Sequence, residues 1–181
     1  MEIQHQLEEV VERSYNYRSL FTKEDFRITP WGEQEKIFQA ADAGERRIAV
    51  KSGHRVGKSP TNSVLLRHWQ ITRFPQKSAV TAPSEKHLFD ALWAEFRGLE
   101  NRFTPEYQWL RNLFETTQER SILKSRPAES FISIKVSRPG QTEALQGMYA
   151  PHVLLIADEA SGIPDATFQA AMSSMANPEG L

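Results

Sequence analysis

Between positions 52 and 60 the chain reads Ser52-Gly53-His54-Arg55-Val56-Gly57-Lys58-Ser59-Pro60. Those residue types in that order suit a triphosphate. Such a ligand needs backbone N–H groups turned inward, a lysine for the β- and γ-phosphates, and a hydroxyl for Mg²⁺. The general pattern is G-x-x-x-x-G-K-S/T. Gly57, Lys58 and Ser59 match its second half, Ser52 stands where the first glycine is usual, and Gly53 comes one residue later. Pro60 falls in the first helical turn, where its missing N–H removes no intrahelical bond. On this reading the whole run Gly53, His54, Arg55, Val56, Gly57, Lys58, Ser59 and Pro60 cradles ATP. The plain alternative is a capped helix after a tight turn, with Lys58 in solvent.

A second constellation lies at Val153-Leu-Leu-Ile-Ala-Asp158-Glu159-Ala160. A continuous apolar run is the mark of a strand covered on both faces, and such a strand delivers Asp158 to the C-terminal edge of a sheet, where open α/β sheets hold ligands. Asp158 can then face a Mg²⁺ opposite the Ser59 hydroxyl, and Glu159 can polarise an attacking water. Two adjacent carboxylates repel each other unless a cation is near. The plain alternative here is a solvated acidic turn.

Both runs need elements to position them. Ile3, Leu7, Val10, Val11 and Tyr15 recur at helical spacing over residues 2–15, Phe21–Thr29 looks like a connection, and Thr29-Pro30 signals a helix that carries Gln34, Ile37 and Phe38 and stops near Gly44. Arg47–Lys51 is expected as a strand feeding the glycine-bearing loop, and Lys58–Arg73 as the helix after it. Lys77–Thr81 is expected as a strand, and Ser84 can cap the next helix, whose stripe is Leu88, Leu92, Phe96 and Leu99. Ser84 with Thr81 could instead contact a DNA phosphate. Residues 104–117 are expected to be helical, and Ser121–Lys124 with Ser130–Ser137 to be strands, arranged as a hairpin. Lys51, Arg55, Arg67 and Arg73 are expected around the loop and its helix as a local positive surface; Trp69, Phe74, Phe89, Trp93 and Phe96 are expected to pack. Strands separated by helices argue for an α/β fold with a mainly parallel sheet.

Composition excludes several classes. The chain has 181 residues, enough for one domain with a proper core, and a formal net charge of −1, so any DNA contact has to come from a local face. It has no cysteine, which removes disulfides and thiolate metal sites, and its five histidines show no paired metal-ligand spacing. No apolar run approaches the roughly 20 residues of a membrane span. The N-terminus is polar where a signal peptide would be basic and then apolar. A cytoplasmic location is expected, without a membrane partner.

The runs Trp31–Pro83 and Glu143–Pro164 resemble the ATPase domain of phage terminase large subunits, the motors that package viral DNA. The matching pieces are Pro30-Trp31 with Gln34, the loop Ser52–Ser59, Val80–Pro83, Glu143–Gly147 and Leu154–Ala160. The resemblance implies that Gln34 recognises adenine, that Lys58 and Ser59 hold phosphate and Mg²⁺, that Asp158 sits on the metal and that Glu159 is the catalytic carboxylate. It offers Arg55, and less directly Arg138, as a charge-stabilising arginine; a solvated surface charge is the alternative for each. It also implies double-stranded DNA, a small terminase subunit and a portal protein as partners, a homo-oligomeric ring, and residence in the host cytoplasm.

The expected architecture is therefore a P-loop NTPase of the α/β class, a mainly parallel sheet flanked by helices. Residues 1–29 form an N-terminal helical extension and 30–181 a truncated ATPase core. The chain ends at Asn177–Leu181 before a coupling strand or a nuclease domain, so the sheet is expected to be incomplete beside the acidic strand. A helicase-like or restriction-type DNA translocase shares the same loop and acidic strand. A fragment that binds nucleotide without efficient turnover is a third possibility.

Overall fold

A computed structural model of the chain describes residues 2–53, 56–138 and 148–174. Three helices open it: α1 (Glu2–Ser14), α2 (Arg18–Phe26) and α3 (Gly32–Asp42). After the glycine-bearing loop come α4 (Lys58–Thr72) and β1 (Gln76–Ala82). A π-helical stretch, Lys86–Trp93, then runs into α5 (Ala94–Leu99). The short helix α6 (Gln108–Arg111) leads to β2 (Phe114–Thr116), β3 (Arg120–Leu123) and β4 (Ser130–Val136). The described part closes with β5 (His152–Ala157) and α7 (Asp165–Ser174).

The five strands form one sheet in the order β2-β3-β4-β1-β5. β1 is parallel to β4 on one side and to β5 on the other, whereas β2–β3 and β3–β4 are antiparallel. The sheet is thus mixed, not mainly parallel. The short links after β2 and β3 allow only hairpin returns, while the parallel neighbours of β1 are reached through long connections. β1 is central and buried along nearly its whole length. Ser121–Lys124 and Ser130–Ser137 do pair as a hairpin, within a residue of the expected bounds.

Helices cover the sheet and bury three apolar clusters. Leu66, Leu88, Leu92, Trp93 and Phe96 pack with Val80, Ile132, Ile134 and Ile156 of the sheet. Val10, Phe21, Phe26, Phe38, Val64 and Ile71 join the first four helices, together with Leu99 and Phe114. Ala79, Met148, Ala150, Val153 and Ala171 form a smaller cluster beside β5 and α7. Among the described residues no helix is long and apolar enough to cross a membrane.

Several expectations are corrected. Arg47–Val50 joins no strand; Ile48 and Val50 stay exposed at 40% and 47%. A β-branched run gains little as a strand without a ladder and a face to bury. Among the described residues β5 ends the sheet order, as expected of a sheet incomplete beside the acidic strand, but Leu154 and Leu155 are only half-buried, so the strand is not covered on both faces. Phe21–Thr29 is mostly helix: Phe21 and Phe26 are buried, and α2 stops where Arg27 turns to a left-handed φ of 53°. Residues 104–117 hold a 3-10 turn, the four-residue α6 and then β2. α3 starts at Gly32, behind Trp31, two residues later than the Thr29 cap would place it.

Candidate functional site

Gly57 closes the loop with φ of 76°, a left-handed value that glycine adopts without strain. Its carbonyl accepts the Thr61 N–H at 3.1 Å and the Thr61 hydroxyl at 2.8 Å, which start α4. The Gln34 side chain also donates to it at 3.3 Å, while Gln34 Oε1 accepts the Trp31 N–H at 3.3 Å. One amide therefore ties the start of α3 to the start of α4. Buried Ser63, Val64, Leu66 and Trp69 then fix α4 in the core, so Lys58, Ser59 and Pro60 stand half-exposed on a rigid helix end.

The opposite wall is built by β5. Its register against β1 carries through to the Asp158 N–H, which donates to Thr81 O at 2.9 Å. Asp158 thus lies at the C-terminal end of the parallel strands and is 7% exposed. Glu159 turns to φ of 51° and donates its N–H to Asp158 Oδ1 at 3.1 Å. That turn directs the Glu159 carboxylate toward α4, where Oε1 lies 3.8 Å from Lys58 Nζ.

Between the walls is a cavity of about 350 Å³. Val56–Pro60 line one side and Asp158 with Glu159 the other; His87 and Ala91, from the π-helical stretch, close a third. Burial holds the Asp158 carboxyl above the ordinary carboxylate range and the Glu159 charge adds to this, while the Glu159 N–H, Lys58 and His87 oppose it. A carboxyl in that state gains from a cation beside it. The Asp158 oxygens and the Ser59 hydroxyl are hard donors of the kind Mg²⁺ takes, and Mg²⁺ draws most of its ligands from water and phosphate. The residues present therefore fit that ion, although no group of three or more His, Cys, Asp or Glu side chains converges among the described residues.

No family model matches the chain. It is 30% identical over 144 residues, 79% of its length, to a protein of Enterobacteria phage P7 described as "Probable terminase, large subunit". The chain is related to phage terminase large subunits. It spans about 29% of the length of that terminase relative.

Set against the terminase resemblance, the expected site residues divide. Val56, Gly57, Lys58, Ser59, Pro60, Asp158 and Glu159 meet around one cavity. Gly53 is exposed and does not line it, and Gln34 reaches it only through Gly57. His54, Arg55 and the Glu143–Gly147 stretch lie outside the described residues. Arg138 is exposed and pairs with Glu85. The expected positive surface is smaller than its residue count: Arg67 and Arg73 are 1% and 6% exposed and turn into the core, which leaves Lys51 exposed near the loop. Thr81 is buried, and Ser84 Oγ accepts the His87 N–H at 3.3 Å, as a helix cap does. Trp69, Trp93 and Phe96 are buried, whereas Phe74 is half-exposed. His87 and Ala91 did not stand out in the sequence. The available signal was position: the first turn after a capped strand end is delivered to the same sheet edge as Asp158.

Proposed function

We propose that the chain is the ATP-binding and hydrolysing part of a DNA-packaging motor. One observation carries the reading: Lys58 and Glu159, a hundred positions apart in sequence, lie 3.8 Å from each other across a cavity that also holds Ser59 and Asp158. An ammonium, a hydroxyl and two carboxylates at the joint edge of a helix and a parallel strand are the groups phosphoryl transfer uses. The relationship to a terminase large subunit supports the same assignment.

In this mechanism the backbone N–H groups at the start of α4 and the Lys58 ammonium neutralise the phosphates. Ser59 and Asp158 would hold Mg²⁺, which when bound would draw charge from the phosphate oxygens. Glu159 accepts a hydrogen bond from the attacking water and orients it. Gln34, joined to the loop through Gly57, would read adenine. Arg55 is the proposed cis-acting arginine. Duplex DNA, a small terminase subunit, a portal and further copies of the chain in a ring are the proposed partners, in the cytoplasm of an infected cell.

Glu159→Gln tests the assignment. The variant keeps Mg-ATP affinity and loses turnover by at least about a hundredfold, the scale of a lost general base; ATP hydrolysis at the parental rate would refute the role. A second reading, nucleotide binding without turnover, is favoured by the exposed, unpaired course of residues 47–50 before the loop. An ATPase assay of the parent chain with and without double-stranded DNA separates the two.

A further inference from the structure

The third wall of the cavity belongs to neither sequence motif. It comes from the π-helical stretch that follows β1, an arrangement that often marks functional sites in helices. This stretch is firmly held. Leu88, Leu92 and Trp93 are 0–2% exposed, the Ser84 hydroxyl accepts the His87 N–H at 3.3 Å, and the Ser84 carbonyl accepts the Leu88 N–H at 3.2 Å. Its buried side anchors it to the sheet, and its exposed side presents His87 and Ala91 to the cavity. Ala91 is small and leaves room beside the imidazole.

The chemistry of the lining makes His87 distinct. Lys58 and Ser59 sit on the α4 wall, and the carboxylates of Asp158 and Glu159 on the β5 wall. Among the described lining residues, only His87 offers a side-chain N–H from the third direction. Its ring has no hydrogen-bond partner among the described residues. The acid wall marks the end of the cavity where a terminal phosphate and its attacking water would lie, whereas the loop backbone holds the phosphates nearer the nucleoside and Lys58 reaches the last two.

We propose that His87 binds the terminal phosphate of a nucleoside triphosphate, donating its imidazole N–H from the third wall, between the α4 N-terminus and the acid wall of β5. The proposal rests on the nucleotide reading above. It makes His87 a discriminator between triphosphate and diphosphate: a diphosphate leaves the His87 end of the cavity to water. Because His87 lies in the first turn of the element that continues into α5, the presence of the last phosphate is registered directly by a core helix.

Affinities of the parent chain, Lys58→Ala, His87→Ala and His87→Gln are measured with fluorescent ADP and a fluorescent non-hydrolysable ATP analogue, both with Mg²⁺. His87→Ala weakens the triphosphate about tenfold, the scale of one charge-assisted hydrogen bond, and leaves the diphosphate within about twofold. His87→Gln, which keeps an N–H donor, regains most of the loss. Circular dichroism of the variants matches the parent, since the ring is exposed. Unchanged triphosphate affinity in His87→Ala, or an equal loss for both nucleotides, overturns the proposal and leaves the nucleotide reading standing. If the parent chain binds neither nucleotide, or if Lys58→Ala binds both as well as the parent, the nucleotide reading itself fails and this inference goes with it.

Discussion

Helix α4 carries two cations whose surroundings differ. Arg67 lies inside the protein: its guanidinium pairs with Glu100, donates to Gln70 Oε1 at 2.8 Å, and stacks 4.4 Å from the Phe96 ring and 5.0 Å from the Phe114 ring. Lys58, at the helix start, is 26% exposed and has one ion-pair partner among the described residues, Glu159, at the long distance of 3.8 Å. The first cation is fitted with partners on nearly every side. The second stands at the edge of a cavity with room for a ligand. Burial and partner count, not charge, separate a structural cation from one available for chemistry.

This contrast predicts opposite responses to substitution, and the largest is at Arg67. Removing one member of a buried pair leaves its partner uncompensated, which typically costs about 3–5 kcal/mol. Arg67→Ala is therefore expected to lower stability by that amount in chemical denaturation. Arg67→Met, which restores apolar contact with Phe96 and Phe114, is expected to recover part of it. A loss below about 1 kcal/mol in Arg67→Ala would erase the distinction between the two ends of α4.

A buried acid extends the comparison. Asp25 has a fully buried side chain, pairs with Arg13 at 2.6 Å through Oδ2, and leaves Oδ1 without a partner among the described residues. Burial pushes its carboxyl up to about 7, with Arg13 opposing and Glu24 and Glu106 adding to the rise. The folded state thus holds a proton that the unfolded chain, with an ordinary carboxyl near about 3.9, has released. Asp25 contributes stability that is full below about pH 4 and lost as the pH rises through about 7. The effect is on the order of a few kcal/mol across that window. Thermal denaturation against pH should show the decline, and Asp25→Asn should flatten it. A slope equal in variant and parent would place the titrating group elsewhere.

How far the sequence revealed these regions follows from the kind of signal each one leaves. The strand β5, the helix α4 and the apolar stripe Leu88, Leu92, Phe96 and Leu99 announce themselves through continuous or periodic hydrophobicity, and each lies within a residue or two of its expected place. Arg47–Lys51 carries the same β-branched signal as a strand, yet a strand exists only with a neighbour, and pairing is a tertiary fact. Arg67 and Arg73 read as surface charge because composition does not show that aromatic rings and Glu100 surround them. Motif chemistry alone pairs Lys58 with Glu159. His87 was missed because a single histidine at the start of a helix has no pattern of its own.

Gly57 ranks next in size. A Cβ built there would lie 2.8 Å from Gln34 Nε2, and its φ of 76° disfavours any L side chain. The left-handed backbone alone costs about 1–2 kcal/mol for a residue with a Cβ. Gly57→Ala is expected to lose at least about that much, with the contact against Gln34 adding to it. In a Gly57→Ala/Gln34→Ala double variant the steric part is relieved and the backbone part remains. A double-mutant cycle measured by denaturation should therefore show coupling between the two positions. Simple additivity would mean that Gln34 does not hold the loop.

The smallest effect on stability is expected at Lys58, the residue with the most chemistry. A half-exposed pair at 3.8 Å gives little back to the fold, typically about 0–1 kcal/mol. Removing the cation also leaves Glu159 free to turn into water, since it is 33% exposed. Lys58→Ala should thus unfold within about 1 kcal/mol of the parent while losing tight Mg-ATP binding in calorimetry. Stability and ligand affinity are then carried by opposite ends of one helix. A Lys58→Ala variant that lost several kcal/mol would show instead that the Lys58–Glu159 contact is a clamp of the fold, with its 3.8 Å spacing accidental to any ligand.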